Sequence, residues 1–234
     1  MKFRRKSKAE DRTEVAETVT ESAPQADSES AGTTEGEGVV ASGTAEASGP
    51  HGPYDIDEIP ADAAPVNRVD LGSLHIPAVE GLELRLQVDE TTGQIAAVLL
   101  TGEDGAIELR AFAAPRNGDL WGEVLPQLIA DVQQRGGQVG QRDGNFGPEL
   151  VCQLTVTMPD GQEGVQPSRI LGINGPRWLL RATFLGRPAV EQEVGEAWEQ
   201  VLHHVVVSRG RTAMPKGEAL PIVIPPEAQQ VVEA

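Results

Sequence analysis

Few side chains in this sequence have the type and spacing that acid–base, nucleophilic or metal chemistry needs. There are four histidines, His51, His75, His203 and His204. His203 and His204 are neighbours in a stretch of helical periodicity, and adjacent helical positions diverge too widely to grip one metal, which calls for i,i+4 or similar spacing. On the helical wheel His203 faces solvent and His204 sits at the edge of the apolar stripe. His75 lies between Leu74 and Ile76, and His51 falls in a polar stretch. The single Cys152 alternates with Leu154, Val156 and Met158, the pattern of a strand face turned to a core, where a thiol stays protonated and inert. No nucleophile elbow, phosphate loop or dinucleotide fingerprint is present. The glycine-rich Gly144-Asn145-Phe146-Gly147 joins two expected strands rather than a strand and a helix, so it is not expected to cradle phosphate. These residues give no catalytic group, no cofactor and no metal site.

Arginine is the residue type that remains. The segment 175–188 places Arg177, Arg181 and Arg187 beside Trp178 and Phe184, and Arg110 occupies a similar place in an earlier strand. Guanidinium groups on one strand face of an acidic protein can dock a carboxylate or a phosphate. The alternative is an ordinary solvated face whose arginine stems cover apolar surface. Arg110, Arg177, Trp178, Arg181 and Arg187 are therefore the expected interaction surface. If the arginines instead converged in a pocket with a carboxylate such as Asp143 or Glu149, the site would suit an anionic metabolite. The basic run Lys2, Arg4, Arg5, Lys6 and Lys8 is a third candidate, for weak contact with a membrane or nucleic-acid surface.

The elements that must position these groups are legible from periodicity. Leu82, Leu84, Leu86 and Val88 alternate with Glu83, Arg85, Gln87 and Asp89, the two-residue period of a half-buried strand. Residues 94–101 and 106–114 read as two more strands, completing a meander. From Asp119 the period becomes helical, with Trp121, Val124, Leu125, Leu128, Ile129 and Val132 on one stripe. Pro126 inside this run is expected to kink the helix or to move its start. Strands follow at 138–143, 149–158, 168–173 and 178–185, separated by loops at 144–148, 159–161 and 174–176. A second helical stripe runs through Val190, Val194, Ala197, Trp198, Val201, Leu202 and Val205 to a stop at Arg209-Gly210. Leu109-Arg110-Ala111 is echoed by Leu180-Arg181-Ala182, and Trp121 to Leu125 by Trp198 to Leu202. This echo fits a duplicated strands-then-helix unit and equally fits shared patterning.

The chain has 234 residues and a formal net charge of -17, which disfavours strong nucleic-acid binding. Residues 1–66 start basic and then turn acidic and poor in large apolar groups, the composition of a disordered arm. Residues 67–210 are expected to form one domain, and 211–234 an extended Pro-rich tail. There is no apolar leader, no run long enough to span a membrane and no disulfide framework, so a cytoplasmic protein is expected.

Asp143 to Leu150 (DGNFGPEL), Gly175 to Arg181 (GPRWLLR), Arg209-Gly210, Met214-Pro215, Leu220-Pro221 and the Gly52 to Asp55 phrase GPYD together carry a resemblance. On these phrases the chain resembles an actinobacterial family of domains of unknown function, over roughly residues 50–226. The resemblance implies no activity, cofactor or catalytic residue.

The sequence thus predicts an α+β domain, a mostly antiparallel sheet with two amphipathic helices on one face. Its expected role is that of a non-catalytic adaptor that binds another protein.

Overall fold

The computed structural model describes residues 52–59, 66–157 and 161–224. The basic run at 2–8, His51, Met158 and the Pro159-Asp160 turn lie outside them, as do most of the arm and the end of the tail.

The fold is α+β and built around one antiparallel sheet. β4 (Glu83–Val88), β5 (Ile95–Thr101) and β6 (Gly105–Ala113) form the first meander, and β8 (Gly147–Thr157), β9 (Glu163–Asn174) and β10 (Trp178–Gly186) the second. β7 (Gln138–Gly144) pairs with β8 at the edge, so the seven strands run β4-β5-β6-β10-β9-β8-β7. The last strands of the two meanders meet in the middle, where β6 and β10 pair from Trp178 opposite Ala113 to Gly186 opposite Gly105. The sequence echo lies here: Leu109-Arg110-Ala111 and Leu180-Arg181-Ala182 face one another, with Arg110 directly opposite Arg181.

Strand alternation assigns every side chain to a face. Ile107, Leu109, Ala111, Leu180, Ala182 and Phe184 belong to one apolar cluster with Leu171, Trp198, Val201 and Leu202. Leu179, Leu150 and Cys152 point the other way and join Leu120, Trp121, Leu125 and Val132. The helices therefore divide between the faces instead of sharing one: α1 (Leu120–Gln134) covers β7 to β9 on one side, and α3 (Gln192–Leu202) lies on the other. A sheet with apolar residues at both parities must be covered on both sides, and the strand pattern at 149–157 and 178–185 already carries that demand.

The first helix keeps its start at Leu120 although Pro126 lies inside it. Asp119 accepts from the Gly122 N–H at 2.8 Å and Asn174 accepts from the Trp121 N–H at 3.1 Å, which satisfies the first turn and holds the start in place. The second helical run is shorter than its stripe. A single turn, α2 (Arg187–Val190), precedes α3, Val190 is exposed, and the helix ends at Leu202. Val205 to Val207 are three consecutive β-branched residues, and they leave the helix to give β11 (Val206–Val207).

β11 belongs to a second, small sheet with β1 (Tyr54–Asp55), β2 (Arg68–Asp70) and β3 (Leu74–Pro77), in the order β1-β11-β3-β2. These strands are too short to announce themselves by periodicity. They extend the folded part beyond the expected 67–210, because Tyr54 pairs in parallel with Val206. The tail adds to the fold as well: the Gly217 N–H donates to Ala113 O, the Leu220 N–H to Ala111 O and the Val223 N–H to Leu71 O, and Leu220 is buried.

Candidate functional site

Arg110 and Arg181 occupy the face of the central ladder that α1 leaves partly open. Alternation puts Glu108, Arg110 and Phe112 of β6 on the same side as Leu179, Arg181 and Thr183 of β10. The two guanidinium carbons stand 5.6 and 5.5 Å from the centroid of one ring, Phe112, within cation–π range. Arg181 is ion-paired with Glu108 at 3.5 Å, both side chains about one-fifth exposed, while the Arg110 charge acts on Asp89, as the least of the causes that lower that carboxyl. The Nε groups of both arginines are buried and have no hydrogen-bond partner. Burial, and after it the Arg110 charge, pulls the Arg181 guanidinium below the ordinary arginine value, with Glu108 acting in the opposite sense. Two like charges directly in register, only one of them in a close ion pair, make a half-dry position that favours an incoming anion.

Next to Arg181, α1 and the ladder enclose a slot of about 190 Å³. Phe112, Leu120, Val124, Leu128 and Leu179 give it its apolar lining, and Gln127, Asp131, Gly217 and Arg181 itself complete it.

The other residues of the expected surface are elsewhere. Trp178 is buried, and its indole N–H donates to Asp55 Oδ2 at 2.8 Å, so it is a core residue tying β10 to the small sheet. Arg177 donates from Nη2 to Gly210 O at 3.0 Å, beside an open depression of about 530 Å³ that Arg116 and Arg211 also line. Arg187 sits past the far end of β10, ion-paired with Asp104 and, at 2.8 Å, with Glu191, contacts that raise its pKa. Only Arg110 and Arg181 are brought together.

The opposite face holds a charge network that sequence reading did not single out. Arg169 is almost fully buried between Glu199, 2.7 Å from its Nη1, and Glu149, 3.5 Å away. Arg142 reaches the other oxygen of Glu149 at 2.6 Å, and Asn145 donates to Glu199 at 2.7 Å. The Arg169 guanidinium also lies over Phe184, 4.3 Å from its centroid. These groups, with Asp143, floor a cleft of about 290 Å³. Asp143 and Glu149 thus sit at a different site from Arg110 and Arg181, on the other side of the sheet. The signal available in the sequence was parity: Arg169 shares its strand face with Leu171 and Ile173.

Among the described histidines, His75 lies 3.6 Å from Asp70. His203 stacks against Phe146 at 5.1 Å and its Nδ1 lies 3.2 Å from Gly52 O. It is half-buried rather than solvent-facing, because Phe146 and the Gly52 segment pack on it at the end of the helix. Burial pushes the Cys152 thiol up, against a smaller opposing hydrogen bond from Ser168. Among the described residues no group of three or more His, Cys, Asp or Glu is placed to hold a metal ion, and no helix is long and apolar enough to cross a membrane.

The phrases GPYD, GPRWLLR and Arg209-Gly210 meet at one corner of the molecule, through the Trp178–Asp55 and Arg177–Gly210 hydrogen bonds. A family model described as a protein of unknown function, DUF3710, matches residues 52–231. The chain belongs to the DUF3710 family. The span shared with the family takes in both sheets, all three helices and the returning C-terminal segment. No curated protein matches the chain. Among solved structures it is similar to a solution structure of a cyanobacterial PsbP protein, CyanoP, from Synechocystis. That likeness has a TM-score of 0.37 and 13% identity over 68% of this chain and 99% of that one.

Proposed function

We propose that this DUF3710 chain is a non-catalytic interaction module that docks an acidic group of a partner protein on the Arg110–Arg181 face. The observation that carries the reading is the in-register pair of guanidinium groups over one aromatic ring, with Arg181 alone ion-paired to Glu108. A partner carboxylate entering there relieves the repulsion between the arginines and gains charge-assisted hydrogen bonds at a half-desolvated position, where they are stronger than at an exposed one. Half-buried Phe112 and Leu99 on the same side of the sheet offer apolar contact around the charges.

The test is fluorescence anisotropy of the full chain with a glutamate-rich peptide capped at both ends, at low and at high salt. Binding that weakens at least tenfold in Arg110→Gln and in Arg181→Gln, but not in Arg187→Gln, is the expected result. Salt should weaken it too. No binding to the unaltered chain, or equal binding to all three variants, overturns the reading.

A further inference from the structure

Resting on that reading, we propose that the group docked at Arg181 is the free C-terminus of a partner polypeptide whose last residue is apolar, with its side chain in the adjoining slot. Arg181 is itself part of the slot's lining, so the anion position and the apolar cavity are continuous. The cavity is about 190 Å³, somewhat more than the roughly 150 Å³ apolar cavity that admits benzene. It lies below the several hundred Å³ of drug-sized sites. It therefore holds one leucine- or phenylalanine-sized group and no more.

The ligand must then present a carboxylate and a single apolar group within a few bonds of each other. An internal glutamate or aspartate offers the carboxylate at the end of its own side chain and has no apolar body beside it. A C-terminal leucine or phenylalanine carries both on one Cα. The walls Phe112, Leu120, Val124, Leu128 and Leu179 come from two strands and a helix packed on them, so the slot is held open by the fold itself. Leu128 and Val124 are only half-buried, which leaves their slot-facing surface free for a ligand.

The experiment uses the full chain and three fluorescent hexapeptides of otherwise identical, uncharged sequence: one ending in leucine with a free carboxylate, its C-terminal amide, and one ending in serine with a free carboxylate. The leucine acid should bind at least tenfold more tightly than either control. Arg181→Gln should abolish the advantage over the amide, and Leu128→Trp, which fills the slot, the advantage over the serine acid. Val124→Ser, a milder change at the same wall, should reduce the second advantage if Leu128→Trp fails to fold. Equal binding of leucine acid and amide overturns the inference, and so does equal binding of leucine and serine acids. If the capped glutamate-rich peptide binds through Arg110 and Arg181 while the leucine acid does not, this inference fails and the acidic-docking reading stands. If neither binds, both fail.

Discussion

Trp121 of α1 packs against the backbone of Gly172 in β9, so closely that a Cβ on that glycine would fall 2.2 Å from Cδ2 of the indole. The indole N–H is held by Pro148 O at 2.7 Å, so the ring cannot swing away without losing a hydrogen bond. This contact seats α1 on the sheet and so shapes the slot beside Arg181. Gly172→Ala should therefore destabilise the fold by about 2–3 kcal/mol, the upper part of the usual overpacking range. Urea denaturation checks it, with Gly140→Ala as control, because nothing lies within 4 Å of that site. Equal midpoints for the two variants would show that α1 adapts freely.

The buried network makes a second prediction. Arg169→Met removes the guanidinium paired with Glu199, while Glu149 keeps Arg142. Leaving a buried carboxylate without its cation costs about 3–5 kcal/mol, whereas replacing the pair by apolar groups is often neutral. Arg169→Met/Glu199→Leu should thus be more stable than Arg169→Met alone, a reversal that a double-mutant cycle in urea measures. Gly195 supports this view of a network the fold has made room for. It lies within a helix, where glycine costs about 1 kcal/mol relative to alanine, and a Cβ there would approach Arg169 Nη2 to 3.1 Å and Pro188 O to 2.9 Å.

The main sheet was legible because its strands are long and patterned, as the alternation from Leu82 to Val88 illustrates. The small sheet was not: Tyr54–Asp55 and Val206–Val207 are two-residue strands defined by partners far away in the chain. Val205 could be placed on a helical stripe only while tertiary pairing was invisible, since Val206 opposite His75 decides its fate. The Arg110–Arg181 meeting was legible as a repeated tripeptide, and its in-register antiparallel pairing was not. Trp178 misled because an aromatic beside arginines reads as a surface until Asp55, 123 residues away, is seen to accept its N–H.

The returning C-terminal segment is expected to be part of the folding unit. The Ala113 N–H donates to Glu218 O at 2.8 Å and Leu220 is 3% exposed. Leu220→Asp buries a carboxylate with no cation given to it, so a loss of about 3 kcal/mol or more is expected. Hydrogen exchange should show the Ala113 and Leu220 amides losing protection together. Retained protection at Ala113 would mean that the segment is dispensable.

Stability at alkaline pH should carry the signature of Cys152. The unfolded thiol ionises near its ordinary value of 9.0, while burial keeps the folded thiol protonated to higher pH. Above pH 9 the unfolded state therefore binds fewer protons, and stability falls with rising pH by at most about 1.4 kcal/mol per unit from this group. Below that window the group contributes nothing to the slope. Cys152→Val should remove this part of the alkaline decline, and urea midpoints between pH 8 and 10.5 test it. An identical slope in the variant would show the thiol ionising without unfolding.

Arg110 and Arg181 impose a conflict between folding and binding. Like charges directly opposite on an antiparallel pair destabilise it by several tenths of a kcal/mol to about 1 kcal/mol, and here Glu108 offsets only part of the repulsion. Arg110→Gln should accordingly stabilise the protein by up to about 1 kcal/mol at low salt, with the gain shrinking modestly as salt screens the partly buried pair. The same substitution should weaken the acidic peptide at least tenfold, because the like charges that repel the strands are what attract the anion. Opposite signs for the two effects are what a site kept for binding predicts. A variant that loses both stability and affinity would instead make Arg110 a structural residue whose packing over Phe112 matters more than its charge. Thermal melts at two salt concentrations, run beside the anisotropy titration, separate these outcomes.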